Sequence, residues 1–182
     1  MNKYILAFAL LSNISFTISC SERQKDNQVT EHSPNNFLQD KNFLEKFDPN
    51  LVELSTEDKQ AKILVSPKYQ GKVFTSTAAG ENGESFGWIN YKAFEGPLDK
   101  HMNAYGGESR LWLGPEGNKY SLYFEPGKNM VFENWHTPAA IDHEPWEKTK
   151  SGPREIAMTK STSITNYQGT EFKLQLQRTI AL

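Results

Sequence analysis

Apolar and polar residues alternate along much of this chain, and the alternating runs are separated by Gly, Pro and Asn. Alternation places successive side chains on opposite faces of a strand. Residues 51–54, 62–66 (closed by Pro67), 72–77 (after Gly71) and 85–91 (after the Gly80–Gly83 turn region) therefore read as strands. So do 109–113 and 120–124, as a hairpin around Gly114-Pro115-Glu116-Gly117-Asn118, and 154–165 with 170–180 around Asn166-Tyr167-Gln168-Gly169. The last run places Phe172, Leu174, Leu176 and Ile180 on one face. One segment differs: Phe37, Leu38, Phe43, Leu44 and Phe47 fall on a helical stripe, Asn36 is suited to cap it, and Asp48-Pro49 stops it. Residues 95–105 read as a loop, and 125–150, with Pro126, Pro138 and Pro145, as a long irregular connection of the kind that often carries function. Strands only a few residues apart pair antiparallel. The pattern predicts a mainly β fold, an antiparallel β-sandwich with a short N-terminal helix.

The first twenty residues are of another kind. Lys3 precedes an apolar run, Tyr4 to Leu11, which is too short for a bilayer that needs about 20 residues. Small residues then lead to Cys20, with Thr17 standing where such signals usually carry Leu. This is the make-up of a secretory signal ending at a lipid-modified cysteine. The expected organisation is a signal peptide over 1–19, a polar tether over 20–36 and a β-rich domain over 37–182. Cys20 is the only cysteine, so disulfides are excluded and a lipid anchor accounts for an otherwise odd thiol. The expected location is the cell envelope, on a bacterial outer membrane, held through lipid on Cys20.

Composition adds limits. Loss of Lys3 with the leader takes Lys plus Arg from 20 to 19 against 22 Asp plus Glu, a net charge of −3. That gives no concentrated basic face and no expectation of nucleic-acid binding. The 11 Phe, 7 Tyr and 4 Trp supply an aromatic-rich surface as well as a core.

Two stretches hold candidate chemistry. On a strand, Glu108, Arg110 and Trp112 share a face, while Ser109, Leu111 and Leu113 point to the core. A carboxylate, a guanidinium and an indole in line suit a sugar: Arg and Glu fork hydroxyls, and Trp offers a flat apolar surface. The plainer reading is an ion pair beside a half-buried Trp. The second stretch runs from Trp135-His136-Thr137-Pro138 to Asp142-His143-Glu144-Pro145-Trp146. Its histidines titrate near neutrality and suit acid–base work, and its plainer reading is a loop anchored by aromatics. The spacing matches no metal motif, and no cofactor or phosphate-binding loop is present. His101, just before Gly106-Gly107, is placed to reach the surface of Glu108 and Arg110.

The segments 67–77, 85–90, 106–117 and 135–142, in that order, resemble those of a family of bacterial lipoproteins of unknown function. More remotely, the Gly-Gly, Arg-x-Trp and Pro-Glu pattern is similar to galactose-mutarotase-like supersandwich proteins. That resemblance implies a twisted antiparallel sandwich with a sugar-sized groove, here in shortened form and without the later catalytic positions. Two functions follow. One is a non-catalytic carbohydrate-binding or scaffold lipoprotein using Arg110, Trp112, Glu108 and Trp135. The other is an epimerase- or glycosidase-like enzyme in which Glu108, His101 or His136 moves protons on a sugar.

Overall fold

A computed structural model describes residues 35–182; the expected signal peptide, Cys20 and most of the expected tether lie outside the described residues. Helix α1, Phe37–Glu45, begins at Asn36 with a capping box: Asn36 Oδ1 accepts from the Gln39 N–H at 2.9 Å, and Gln39 Oε1 accepts from the Asn36 N–H at 3.1 Å. Its inner face buries Phe37, Leu44 and the carboxylate of Asp40. Asp40 is satisfied by the hydroxyls of Ser85 and Tyr91. The helix ends where Asp48 turns inward to accept from Ser66 Oγ and the Lys68 N–H.

Strands β1 (Val52–Ser55), β2 (Lys62–Ser66) and β3 (Lys72–Thr77) form one antiparallel sheet in the order β1-β2-β3, with a register shift between Leu64 and Val65. Strands β4 (Glu147–Ser151), β5 (Glu155–Thr165) and β6 (Glu171–Ala181) form a second, in the order β4-β5-β6. β5 and β6 pair throughout, from Glu155↔Ala181 to Thr165↔Glu171.

The first sheet is covered on both faces. Leu54 and Val65 pack against Ile156 and Met158 of the second sheet and Trp146 just before it, with Val73, Leu111, Leu176 and Ile180 at the margin. Leu64 and Phe74, on its other face, meet Phe37 and Leu44 of α1 and the rings of Tyr69, Phe94 and Tyr105. Burial of each such side chain contributes about 1.5–3 kcal/mol. The fold is thus mainly β, two antiparallel sheets packed in sandwich fashion, with a short N-terminal helix.

Three expected strands do not form. Residues 85–91 make only an isolated bridge, Ile89 to Gly106, and lead into helix α2, Tyr91–Glu95. Gly87 is the reason: its backbone lies so close to β3 that a Cβ would sit 2.0 Å from the Phe74 carbonyl oxygen. Residues 109–113 and 120–124 are irregular rather than a hairpin. Side chains replace the ladder there: Gln70 bonds to Leu111 through both its amide oxygen and nitrogen, and Ser109 Oγ accepts from the Val73 N–H at 3.1 Å. Conversely β4 lies at the end of the stretch expected to be a loop, over a β-bulge between Lys148 and Lys150.

Candidate functional site

The irregular segment between β3 and β4 carries the site. Asp142, 2% exposed, is its anchor. Both carboxylate oxygens accept from the Asn103 N–H at 3.1 Å, Oδ2 accepts from Asn103 Nδ2 at 2.7 Å, and Oδ1 accepts from Arg110 Nη2 at 2.7 Å. Arg110 also donates to the Asn103 carbonyl, and its guanidinium carbon lies 4.9 Å from the Trp112 ring centre. Arg110 is therefore committed to Asp142, not to Glu108. Glu108 is exposed and accepts from Ser76 Oγ at 2.8 Å. The expected single face of Glu108, Arg110 and Trp112 is divided between two places because the segment is not a strand.

From Trp112 a layer of near-parallel rings extends to the surface. Trp112 lies 5.1 Å from Tyr123, and Tyr123 lies 5.5 Å from Trp135 with only 4° between their planes. Phe132 continues the layer 6.3 Å from Trp135 at 13°. Tyr123 is the buried member, with its hydroxyl donating to the Leu113 carbonyl at 2.7 Å; burial pushes the pKa of that hydroxyl up to about 12. Phe132 is the open end, 67% exposed. Aromatic pairs of this geometry add about 0.5–1.5 kcal/mol each beyond area burial.

Two histidines hold the layer in place. His101 and His136 stack at 5.3 Å and 13°, and His101 lies 4.4 Å from Phe132. His101 Nδ1 bonds to the Trp135 carbonyl at 2.6 Å and His136 Nδ1 to the Lys100 carbonyl at 2.7 Å. A carbonyl only accepts, so each Nδ1 donates. Asp99 closes the turn before His101; the N–H groups of His101 and Met102 hold its carboxyl below the usual range. Among the described residues no hydrogen bond joins Glu108 to either histidine.

A hollow of about 340 Å³ opens at Phe132, lined by Glu116, Phe124, Met130, Val131 and Trp135. Glu116 Oε1 accepts from Trp112 Nε1 at 2.7 Å, so the carboxylate is aimed by the layer itself. A second hollow, about 380 Å³, is bordered by His136, Glu125 and Glu144, with Lys160 paired to Glu144 at 2.8 Å. Among the described residues no group of three or more His, Cys, Asp or Glu is placed to hold a metal ion. No helix among them is long and apolar enough to cross a membrane.

Of the sequence candidates, Trp112, Trp135, His101 and His136 come together, and Arg110 supports them from beneath. Tyr123, Phe132 and Glu116 are not site candidates by sequence, and Asp142 is one only as a member of the His- and acid-rich stretch, not as the partner of Arg110. The one signal for Phe132 is the apolar run Met130-Val131-Phe132 inside a polar, Gly- and Pro-marked loop.

The architecture defines a mainly β domain that displays an aromatic layer from its longest irregular segment. The chain belongs to a family of unknown function (DUF6786), whose model matches residues 35–182. No curated protein and no solved structure matches it.

Proposed function

We propose that the chain is an envelope lipoprotein, tethered through Cys20, whose domain binds a glycan without transforming it. The observation that carries this reading is the ring layer ending at solvent in Phe132 beside the Glu116 carboxylate. A pyranose has an apolar C–H face and an equatorial rim of hydroxyls. Phe132 and the half-buried Trp135 suit the first, and the Glu116 oxygen not engaged by Trp112 suits the second. A hollow of about 340 Å³ has the size of a small-ligand pocket. Trp112 and Arg110 stiffen this surface rather than touch the sugar. Acid–base chemistry on a sugar has one supporting feature, the free Nε2 of His136 in the hollow of Glu125 and Glu144, and it lacks a carboxylate bonded to that histidine.

The test is thermal unfolding of the mature chain with a panel of envelope and plant glycans. A ligand at 100 times its Kd stabilises by about 2.7 kcal/mol. One glycan is expected to raise the midpoint, and Phe132→Ser and Trp135→Ala to abolish that rise with the transition still cooperative. A rise that survives both substitutions, or no rise with any glycan, overturns the reading.

A further inference from the structure

Two other aromatic side chains are almost as exposed as Phe132, and the glycan surface does not use them: Trp88, 66% exposed, and Phe86, 58% exposed. They flank Gly87, whose N–H donates to Thr75 Oγ1 at 2.9 Å and whose α-carbon is pressed against the Phe74 carbonyl. With the glycine turned to the sheet, the residues on either side turn away from it. Trp88 is fixed as well. Its carbonyl accepts from the Gly107 N–H at 2.7 Å, and its ring covers Gly106, where a Cβ would come within 3.0 Å of Cε3. Among the described residues nothing covers these two rings, and exposed apolar rings on a fixed backbone mark an interaction surface.

The place where the chain enters the domain says what that surface faces. Asn36 bridges Glu84, the Asn35 carbonyl accepts from the Ser85 N–H at 3.0 Å, and the Phe37 N–H donates to the Gly83 carbonyl at 3.0 Å. Residues 35–37 are thus laid against residues 83–85, next to Phe86. Between Cys20 and Asn35 an extended chain reaches about 50 Å at most, at roughly 3.3–3.6 Å per residue. We propose that Phe86 and Trp88 seat the domain on the lipid leaflet that holds the Cys20 acyl chains. This rests on the lipoprotein reading. Trp favours the interface because its ring is apolar and its N–H is polar. Two or more acyl chains hold the protein on the leaflet but leave the domain free to turn, and a second contact turns that tether into a fixed orientation. Glu84 and Glu108, both exposed, border the rings, and Ser76 links Glu108 to this side: its carbonyl accepts from the Phe86 N–H while its hydroxyl donates to Glu108. With carboxylates at the margin, the fitting surface is zwitterionic rather than anionic.

The experiment uses the full chain made in an exporting bacterial host and reconstituted into phosphatidylcholine vesicles with and without brominated acyl chains. Metabolic palmitate labelling of wild type and Cys20→Ser is run in parallel. Brominated lipid is expected to quench part of the tryptophan emission in wild type and to lose that effect in Trp88→Phe. Phe86→Ser is expected to weaken it, and added phosphatidylglycerol not to strengthen it. A labelled chain whose quenching is the same in Trp88→Phe overturns the seating and leaves the lipoprotein reading intact. An unlabelled chain whose Trp88 is still quenched on added vesicles overturns the lipid anchor and leaves the membrane-facing surface. Quenching that grows several-fold with anionic lipid overturns the zwitterionic assignment.

Discussion

Removal of the Asp142 carboxylate is the sharpest perturbation of this structure. Asp142→Ala leaves the Arg110 guanidinium without its anion, strips the Asn103 N–H of its acceptor and leaves the Asn103 amide only its bond to the Asp99 carbonyl. The Arg110 side chain keeps 23% exposure, so water relieves part of the loss. Breaking a buried pair by deleting one partner costs about 3–5 kcal/mol, and the partial exposure points to the lower end, about 3 kcal/mol. At roughly 2–4 °C per kcal/mol for a domain of this size, the midpoint falls by about 6–12 °C. The assay is urea unfolding followed by far-ultraviolet circular dichroism and tryptophan emission, with the m-value checked for constancy. Asp142→Asn, Arg110→Met and the double variant complete a cycle. The single changes should be non-additive by at least about 1.5 kcal/mol, because each leaves the other group unmatched. A loss below about 1 kcal/mol for Asp142→Ala, or additivity within about 0.5 kcal/mol, refutes Asp142 as the anchor.

Two further outcomes are expected. Lys72 is buried with Nζ donating to the Gly106 carbonyl at 2.8 Å; burial, and after it the nearby Arg110 charge, push its ammonium down to about 8. The unfolded chain therefore holds more protons than the folded one between pH 8 and 10.5, so stability rises with pH across that window. Tyr69 and Tyr123, both pushed up to about 12, reverse the trend only above pH 10, where the unfolded phenols ionise first. Urea unfolding from pH 7 to 10 should show the rise in wild type and not in Lys72→Met. At pH 7 the variant should be about 1–2 kcal/mol more stable, since relief of the buried charge outweighs the lost bond to Gly106. A rise shared equally by the variant shows that Lys72 is not its source. Gly87→Ala forces the chain off β3 and should cost at least about 2 kcal/mol in the same denaturation assay; unchanged stability shows that the close approach to Phe74 is not required.

The alternating runs at 155–165 and 171–181 were legible because each strand has one face on a core, and burial imposes period two on the sequence; 62–66 and 72–77, covered on both faces, were legible from their β-branched and apolar content bounded by Pro67 and Gly71. Helix α1 was legible from Asn36 and the stripe Phe37, Leu44 and Phe47. Residues 85–91 carried the same alternation for a different reason. Phe86 and Trp88 face solvent together, and close backbone approach at Gly87 fixes their direction without a ladder. Residues 109–113 misled because Gln70 and Ser109 supply by side chain what a neighbouring strand would supply by backbone. The candidate site was read in its parts and not in its assembly. Arg110 and Trp112 were marked, yet the partner that decides what Arg110 does is Asp142, in a loop far along the chain. Local patterns of charge and hydrophobicity do not register such long-range pairing.

Both sheets join strands that are neighbours in sequence, β1 to β2 to β3 and β4 to β5 to β6. Such meanders close short loops and form without waiting for the rest of the chain. The aromatic layer, by contrast, is drawn from the strandless stretch between them and is held by few backbone bonds, such as His136 N–H to the Tyr123 carbonyl and Thr137 N–H to the His101 carbonyl. Segments held in this way are the kind that open before the sheets around them do. A ligand stacked across Trp135 and Phe132 would hold the layer closed, so part of its binding free energy goes into ordering the layer. Recognition and local rigidity are then coupled in the same group of rings.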